Sequence, residues 1–282
     1  MTKSRQVLRV SKVEQDDVLF GINGDTLLMG IIGDPVSQVK TPEAINQIFA
    51  RFGLNIRCVP IHVTTNELES AWRGLKSMGN LVGFGVTLPH KVDAMRLCDS
   101  LDETASRVGA LNVVRREADG SFRGYQFDGL GFIRGLEKQG HKLSKRSCLL
   151  VGAGGAAFGI AYALKEAGCG LIRIVNRDKG KAEALVAHLN QDFGPSSAET
   201  SNPIPRSGDL VINATSLGMK EGDSLPVDAE LIDSTMLVAE VVAKPEVTAL
   251  LRAASARGAG IHSGLHMIHN QVDLIARHLV DH

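Results

Sequence analysis

At 282 residues, with 44% hydrophobic and 22% charged side chains, the chain has the make-up of a globular protein with room for one large domain or two ordinary ones. Lysine plus arginine equals aspartate plus glutamate at 31 each, so no global charge draws it to nucleic acid or to a membrane surface, and an anionic ligand must be held by local donors. Aromatics at 4% are too few for base-stacking platforms, and no apolar run approaches the roughly 18 residues of a membrane span. Met1 to Gly24 is polar and mixed in charge, without the apolar core of a signal peptide, which makes the cytoplasm the expected location. Cys58, Cys98, Cys148 and Cys169 form no CxxC pair and read as buried free thiols of a reducing compartment.

Thr26 to Ile32 is a short apolar run suited to a buried strand. A helix follows, with Thr41 as its N-cap, Pro42 at the first helical position, and Ile45, Ile48, Phe49 and Phe52 along one face before Gly53. Val59, Ile61 and Val63 alternate as in a half-buried strand, and Leu68, Trp72 and Leu75 mark a second helix. Leu81 to Val86 returns as a strand. Cys148 to Val151 is a strand running straight into Gly152-Ala-Gly-Gly-Ala-Ala157, and the helix behind it carries Ile160, Ala163, Leu164 and Ala167 on one face. Leu171 to Val175 reads as a strand and Ala182, Leu185, Val186 and Leu189 as a helix. Asn190 to Gly208 reads as loop, Asp209 to Ala214 and Met236 to Val242 as buried strands, and Gly264 onward as a terminal helix. Strands alternating with helices predict an α/β architecture.

The glycine run has the context that a dinucleotide-binding turn needs: strand before, helix after, and a second strand about 20 residues on. Gly152 permits the tight turn, Gly154 lets the backbone approach a pyrophosphate, and Ala157 is small enough for helix and strand to pack closely. The helix N-terminus then offers N–H groups and a partial positive charge to the phosphates. Past the second strand stand Arg177 and Asp178. An acid there accepts ribose hydroxyls and would repel a 2′-phosphate, so the expected cofactor is NAD, with NADP the alternative through Arg177. Asp178 also suits the N-cap of the next helix.

Short stretches in a fixed order give this chain a family resemblance. Gly33-Asp-Pro-Val-Ser-Gln-Val-Lys-Thr-Pro42 resembles the substrate loop of shikimate dehydrogenases, and Gly85-Val-Thr-Leu-Pro-His-Lys91 resembles their lysine motif. Gly109-Ala-Leu-Asn112, Gly124-Tyr-Gln-Phe-Asp128-Gly129, the glycine loop, Asn176-Arg177, Asp209 to Met219 and Met267 to Gln271 follow in family order. The resemblance implies two α/β domains with the active site in the cleft between them. Residues 1–124 would form a substrate-binding domain, 125–264 a Rossmann-type NAD(P)-binding domain, and the C-terminal helix, 265–282, would pack back onto the first. It also implies reversible hydride transfer between a nicotinamide cofactor and a ring hydroxyl of shikimate or a related cyclic hydroxy acid.

By the same resemblance, Lys91 and Asp128 are the catalytic pair. Val39, Thr41, Thr87, Asn112 and Gln271 fall at substrate-binding positions. Cofactor contacts fall at Gly152, Ala153, Gly154, Gly155, Ala156, Asn176, Arg177, Asp178, Lys181, Ala214, Thr215, Val241 and Gly264. The chemistry suits these types: oxidising a secondary alcohol requires its hydroxyl proton to leave, and a lysine beside a carboxylate can hold the oxygen and pass that proton. Taken without the family pattern, Lys91 is a surface lysine after a proline and Asp128 a turn residue before a glycine.

The departures fall on the substrate side. Val39 stands where the family has a hydroxyl, Gly85 where it has an asparagine, Ala243 where it has a tyrosine, and Gln126-Phe127 where it has Asn-Thr. Each lost hydrogen bond is worth about 0.5–1.5 kcal/mol, which points to a preferred substrate other than shikimate. His262, His266 and His269 have no Cys or acid at ligand spacing, so no metal site is expected. The expected partner is a small anionic cyclic substrate, with neither nucleic acid nor membrane, and the sequence leaves a homodimer open. Two other readings compete: a ligand-binding regulator that lost turnover on the same fold, and a methylenetetrahydrofolate dehydrogenase-like enzyme.

Overall fold

A computed structural model of the chain describes residues 21–37 and 39–280; most of the polar segment Met1 to Gly24 lies outside the described residues. The chain divides into two compact units. One runs to Phe127 and resumes at Val272, and the other is Asp128–Gln271.

The first unit opens with β1 (Leu27–Gly33), where all but one residue is buried, as a strand flanked on both sides requires. α1 (Thr41–Arg51) buries Ile45, Ile48 and Phe49. Its N-cap is Lys40 rather than the expected Thr41, and no side chain caps it. The helix starts one residue early because Pro42 fits anywhere in a first turn, and Lys40 instead pairs with Glu43 at 3.2 Å. β2 (Ile56–His62) buries Ile56 and Cys58 while Val59 stays 43% exposed. The expected inward phase of Val59 fails because β2 is an edge strand, bonded to β1 alone. α2 (Leu68–Ser77) turns Leu68, Trp72 and Leu75 inward, and β3 (Leu81–Val86) is buried throughout.

The chain then departs from the simple alternation. β4 (Ser100–Leu101) and α3 (Glu103–Val108) lead to an antiparallel pair, β5 (Val113–Arg116) and β6 (Phe122–Tyr125). The sheet order is β2-β1-β3-β5-β6-β4, parallel across β2, β1 and β3 and antiparallel from β3 to β6. Its core is aromatic: Trp72, Phe84 and Phe122 meet edge to face, with ring centroids 4.9 to 5.9 Å apart. Such pairs add about 0.5–1.5 kcal/mol each beyond their burial.

The second unit begins with α4 (Asp128–Lys138), followed by β7 (Cys148–Val151), α5 (Gly155–Glu166), β8 (Ile172–Val175) and α6 (Lys179–Phe193). β9 (Ala198–Thr200) lies in the segment read as loop. Its polar sequence hides it. The Asn190 side chain supplies a strand's pairing by donating to Ala198 O at 3.0 Å and accepting from Ala198 N at 2.9 Å, while β8 pairs with β9 on the other side. β10 (Leu210–Asn213), β11 (Leu237–Glu240), α7 (Ala249–Ala256), β12 (Gly260–His262) and α8 (Gly264–Val280) complete the unit and lead out of it. The sheet is parallel, in the order β12-β11-β10-β7-β8-β9. Strand order reverses between β7 and β10, which is the switch point where doubly wound sheets bind dinucleotides. A buried Arg173–Asp209 ion pair ties β8 to the start of β10, and breaking such a pair costs about 3–5 kcal/mol.

The end of α8 returns to the first sheet. Gly83 leaves room for it, since a Cβ there would sit 2.9 Å from Leu279 Cδ2. His278 meets the Tyr125 ring at 4.1 Å, and Arg115 donates to His278 O at 3.3 Å. No helix among the described residues is long and apolar enough to cross a membrane.

Candidate active site

In the first unit the candidate residues gather at the carboxyl ends of β1 and β3, where open α/β sheets place ligands. The loops leaving these strands are bonded together: Thr87 N donates to Ile32 O at 2.9 Å and Asp34 N to Leu88 O at 3.0 Å. They approach so closely that a Cβ on Gly33 would lie 2.3 Å from Thr87 Cγ2. Val39 and Thr41, both half-buried, continue the same loop into α1, and His62 pairs with Asp34 at 2.7 Å at its base.

Lys91 follows directly. Its carbonyl accepts from Leu111 N at 2.9 Å, and the preceding His90 is fully buried with Nε2 2.6 Å from Val63 O. The segment carrying Lys91 is therefore fastened on two sides. Asn112 is buried, its carbonyl accepts from Val86 N at 2.8 Å, and its Oδ1 accepts from Phe127 N at 2.8 Å. That last bond employs a polar group which the resemblance reserved for substrate. The structure thus assembles Thr87, Lys91 and Asn112 around the β3 terminus.

In the second unit Asp128 begins α4 and is 2% exposed, and Gln271 Nε2 donates to its Oδ1 at 2.8 Å. One catalytic and one substrate candidate, 143 residues apart in sequence, thereby form one buried pair. Gly129 explains how α4 can cross α5 so tightly, because a Cβ there would sit 2.0 Å from Gly159 O.

The glycine turn has the form that suits a phosphate. Gly152 has φ +122° and packs against the turn after β10, where a Cβ would meet Ala214 O at 2.8 Å. Ala153 is buried beside it, Gly154 caps α5 with nothing within 4 Å of its Cβ position, and Gly155 and Ala156 form the first helical residues. The first-turn N–H groups of a helix have no partner within it, and the space where a Gly154 Cβ would lie is open. The first glycine is thus needed for the protein's own packing, while the second leaves open space beside the helix start.

Asp178 accepts from Lys181 N at 3.3 Å as the N-cap of α6, while Asn176 Nδ2 donates to Asp178 O at 2.9 Å. Arg177 and Lys181 are exposed on this turn. Val241 leaves β11 with its N–H on Asn213 O at 3.1 Å, and Gly264 lies so near that a Cβ would be 2.5 Å from the Val241 carbonyl. Ala214, Thr215, Val241 and Gly264 consequently lie on segments that touch at the carboxyl end of the sheet. Of the histidines, His262 bonds Gln139 Oε1 at 2.7 Å and stacks on His266 at 4.8 Å, whereas His269 is exposed. The four cysteines are free, and burial pushes the Cys58 and Cys98 thiols up to about 12, which disfavours a reactive thiolate.

Two structurally prominent residues carry no role in the sequence reading. His90 was visible only as part of a motif. Glu240 is a fully buried acid at the end of an otherwise apolar strand, and an acid inside Met236 to Val242 is the signal that could have marked it.

Comparison with known proteins identifies the pattern. Residues 31–114 match the shikimate dehydrogenase substrate binding domain, and residues 135–219 match shikimate / quinate 5-dehydrogenase. The shikimate dehydrogenase (NADP(+)) of Rubrobacter xylanophilus is 42% identical over 84% of each chain. A crystal structure of a shikimate dehydrogenase in complex with NADP+ superposes with a TM-score of 0.85 at 31% identity, covering 92% of this chain and 91% of that one. The ligand-free 5-ketofructose reductase of Gluconobacter sp. strain CHM43 gives 0.80 at 32% identity, covering 92% and 93%. These likenesses favour neither the regulator nor the methylenetetrahydrofolate dehydrogenase reading.

Proposed function

This chain belongs to the shikimate dehydrogenase family, and on that premise we propose that it moves hydride reversibly between NADP and the ring hydroxyl of shikimate or a close relative. The observation that carries the reading is the open glycine turn and helix N-terminus at the switch point of a parallel sheet. When bound, the nicotinamide supplies the hydride acceptor. Lys91 takes the hydroxyl proton during oxidation and returns it during reduction. Asp128, oriented by Gln271, keeps the second polar contact to the reacting hydroxyl. Thr87 and Asn112 orient the substrate ring.

The preference for NAD gives way to NADP in this reading. Asp178 caps α6, so its carboxylate is engaged by the helix, and Arg177 and Lys181 remain exposed for a 2′-phosphate. The names of relatives carry NADP in the same sense. Nicotinamide absorbance with shikimate and each nucleotide in turn tests both parts. Reduction of NADP by shikimate is expected, and its absence overturns the activity.

A second reading concerns the substrate alone. Val39 and Ala243 replace a hydroxyl and a phenol, and one solved relative, at 32% identity, is a 5-ketofructose reductase. A bulkier or less hydroxylated cyclic acid, or a polyhydroxy ketone, would then outperform shikimate. Rates with shikimate, quinate and 5-ketofructose decide between the two.

A further inference from the structure

Glu240 ends β11 with no exposed surface, and burial raises its carboxyl above the usual range. Such a group is costly unless it is bonded. It accepts from Asn213 Nδ2 at 2.8 Å and from Thr248 Oγ1 at 2.5 Å. The Asn213 side chain bonds onward in both directions: its Oδ1 accepts from Thr215 Oγ1 at 2.6 Å and Thr215 N at 3.1 Å, and its Nδ2 also donates to Leu217 O at 2.9 Å. Thr215 Oγ1 then accepts from Leu217 N at 3.1 Å. The turn from Ala214 to Gly218 is thus wound around one amide, and that amide is held by one carboxylate.

This turn is the surface against which Gly152 packs, with a Cβ there falling 2.8 Å from Ala214 O and 3.3 Å from Thr215 Cγ2. Moving Asn213 would move Ala214 and Thr215, and with them one wall of the glycine turn. We infer that Glu240 is a positioning residue for the dinucleotide: through Asn213 it sets the turn after β10 against the phosphate-binding loop. The inference rests on the cofactor reading above and adds to it a residue that itself touches no ligand.

Calorimetric binding of NADPH at 25 °C tests this without requiring turnover. Glu240→Met removes the acceptor at similar size and is expected to raise the NADPH Kd at least tenfold. Glu240→Gln keeps an oxygen for Asn213 and should stay within about threefold of the parent. In both, the KM for shikimate should change less than twofold. A merely structural role would lower the melting temperature of Glu240→Met and leave its Kd unchanged, which overturns the inference. Asn213→Ala breaks the same relay from the other end and carries the test should Glu240→Met not fold; unchanged NADPH affinity there is equally fatal. Failure of the parent protein to bind NADPH would instead sink the cofactor reading, and the inference with it.

Discussion

The two units offer a ligand different kinds of group. In the second, the candidate cofactor contacts lie largely on backbone: a glycine turn, helix N–H groups and a sheet switch point. Gly152 has no room for a side chain, since a Cβ there would meet Ala214 O at 2.8 Å, whereas the space beside Gly154 is open. In the first, the candidate contacts are side chains on loops, and Val39 and Gly85 depart from the family pattern there, as does Ala243 in the second unit. A backbone site is limited by its geometry, whereas a side-chain pocket can be retuned one residue at a time.

The sharpest way to break this comparison is at Lys91, a side chain whose loss should abolish chemistry and spare nucleotide binding. Lys91→Ala is expected to cut kcat by about 10²–10⁴, the usual worth of a positioned proton-transfer group, with NADPH affinity unchanged. A variant with near-parental turnover would remove Lys91 from the mechanism. Next in size is Arg177, an exposed side chain of the second unit. Arg177→Ala should weaken NADP by about 10- to 100-fold, the range of one charge-assisted hydrogen bond, and leave NAD affinity nearly unchanged. Equal losses for both nucleotides would show that Arg177 does not read the 2′-phosphate.

A smaller effect tests whether the substrate pocket has been retuned. Val39→Ser with Ala243→Tyr should lower the KM for shikimate by roughly tenfold to thirtyfold, as two restored hydrogen bonds of about 1 kcal/mol would. If the parent already has a KM for shikimate below about 1 mM, the departures are neutral variation and the contrast between the units weakens.

The last prediction asks which unit yields first to acid. Burial lowers His262 from 6.5 to about 3, and the neighbouring His266 and His141 are lowered as well, chiefly by burial. Above pH 6.5 the imidazole is neutral in both states and contributes no pH dependence. As pH falls below the unfolded value, the unfolded chain takes up a proton that the fold refuses, and stability drops by about 1.4 kcal/mol per pH unit for His262. Hydrogen-exchange protection, taken relative to the intrinsic rate at each pH, should therefore fall first around Gln139 and β12 between pH 7 and 5.5, and His262→Phe should reduce that fall. Uniform exchange across both units would show that these histidines do not set the acid response.

Much of the second unit was legible because its signals are local. The strand, glycine turn and helix from Cys148 to Glu166 stand where period and turn chemistry place them. α7 and β12 escaped notice because each is short, and the strand Gly260–His262 has a single fully buried residue. The β5 and β6 pair was likewise missed, since Arg115, Arg116 and Arg123 interrupt the apolar alternation and are covered instead by Glu117 and the Tyr125 and Phe122 rings.

By itself, the sequence determined the family and singled out the glycine turn, Lys91 and Asp128 as candidates, because each is carried by neighbouring residues in a recognisable order. Only the tertiary structure decided what the polar groups are doing. Asp178 suits a helix cap in sequence, and the structure supplies the cap bond, from Lys181 N. Glu240 could be an ordinary strand residue, and its partners Asn213 and Thr248 lie 27 and 8 positions away. Local pattern encodes period and backbone conformation, whereas a buried polar group's partner depends on which chain segments arrive beside it at the end of a sheet.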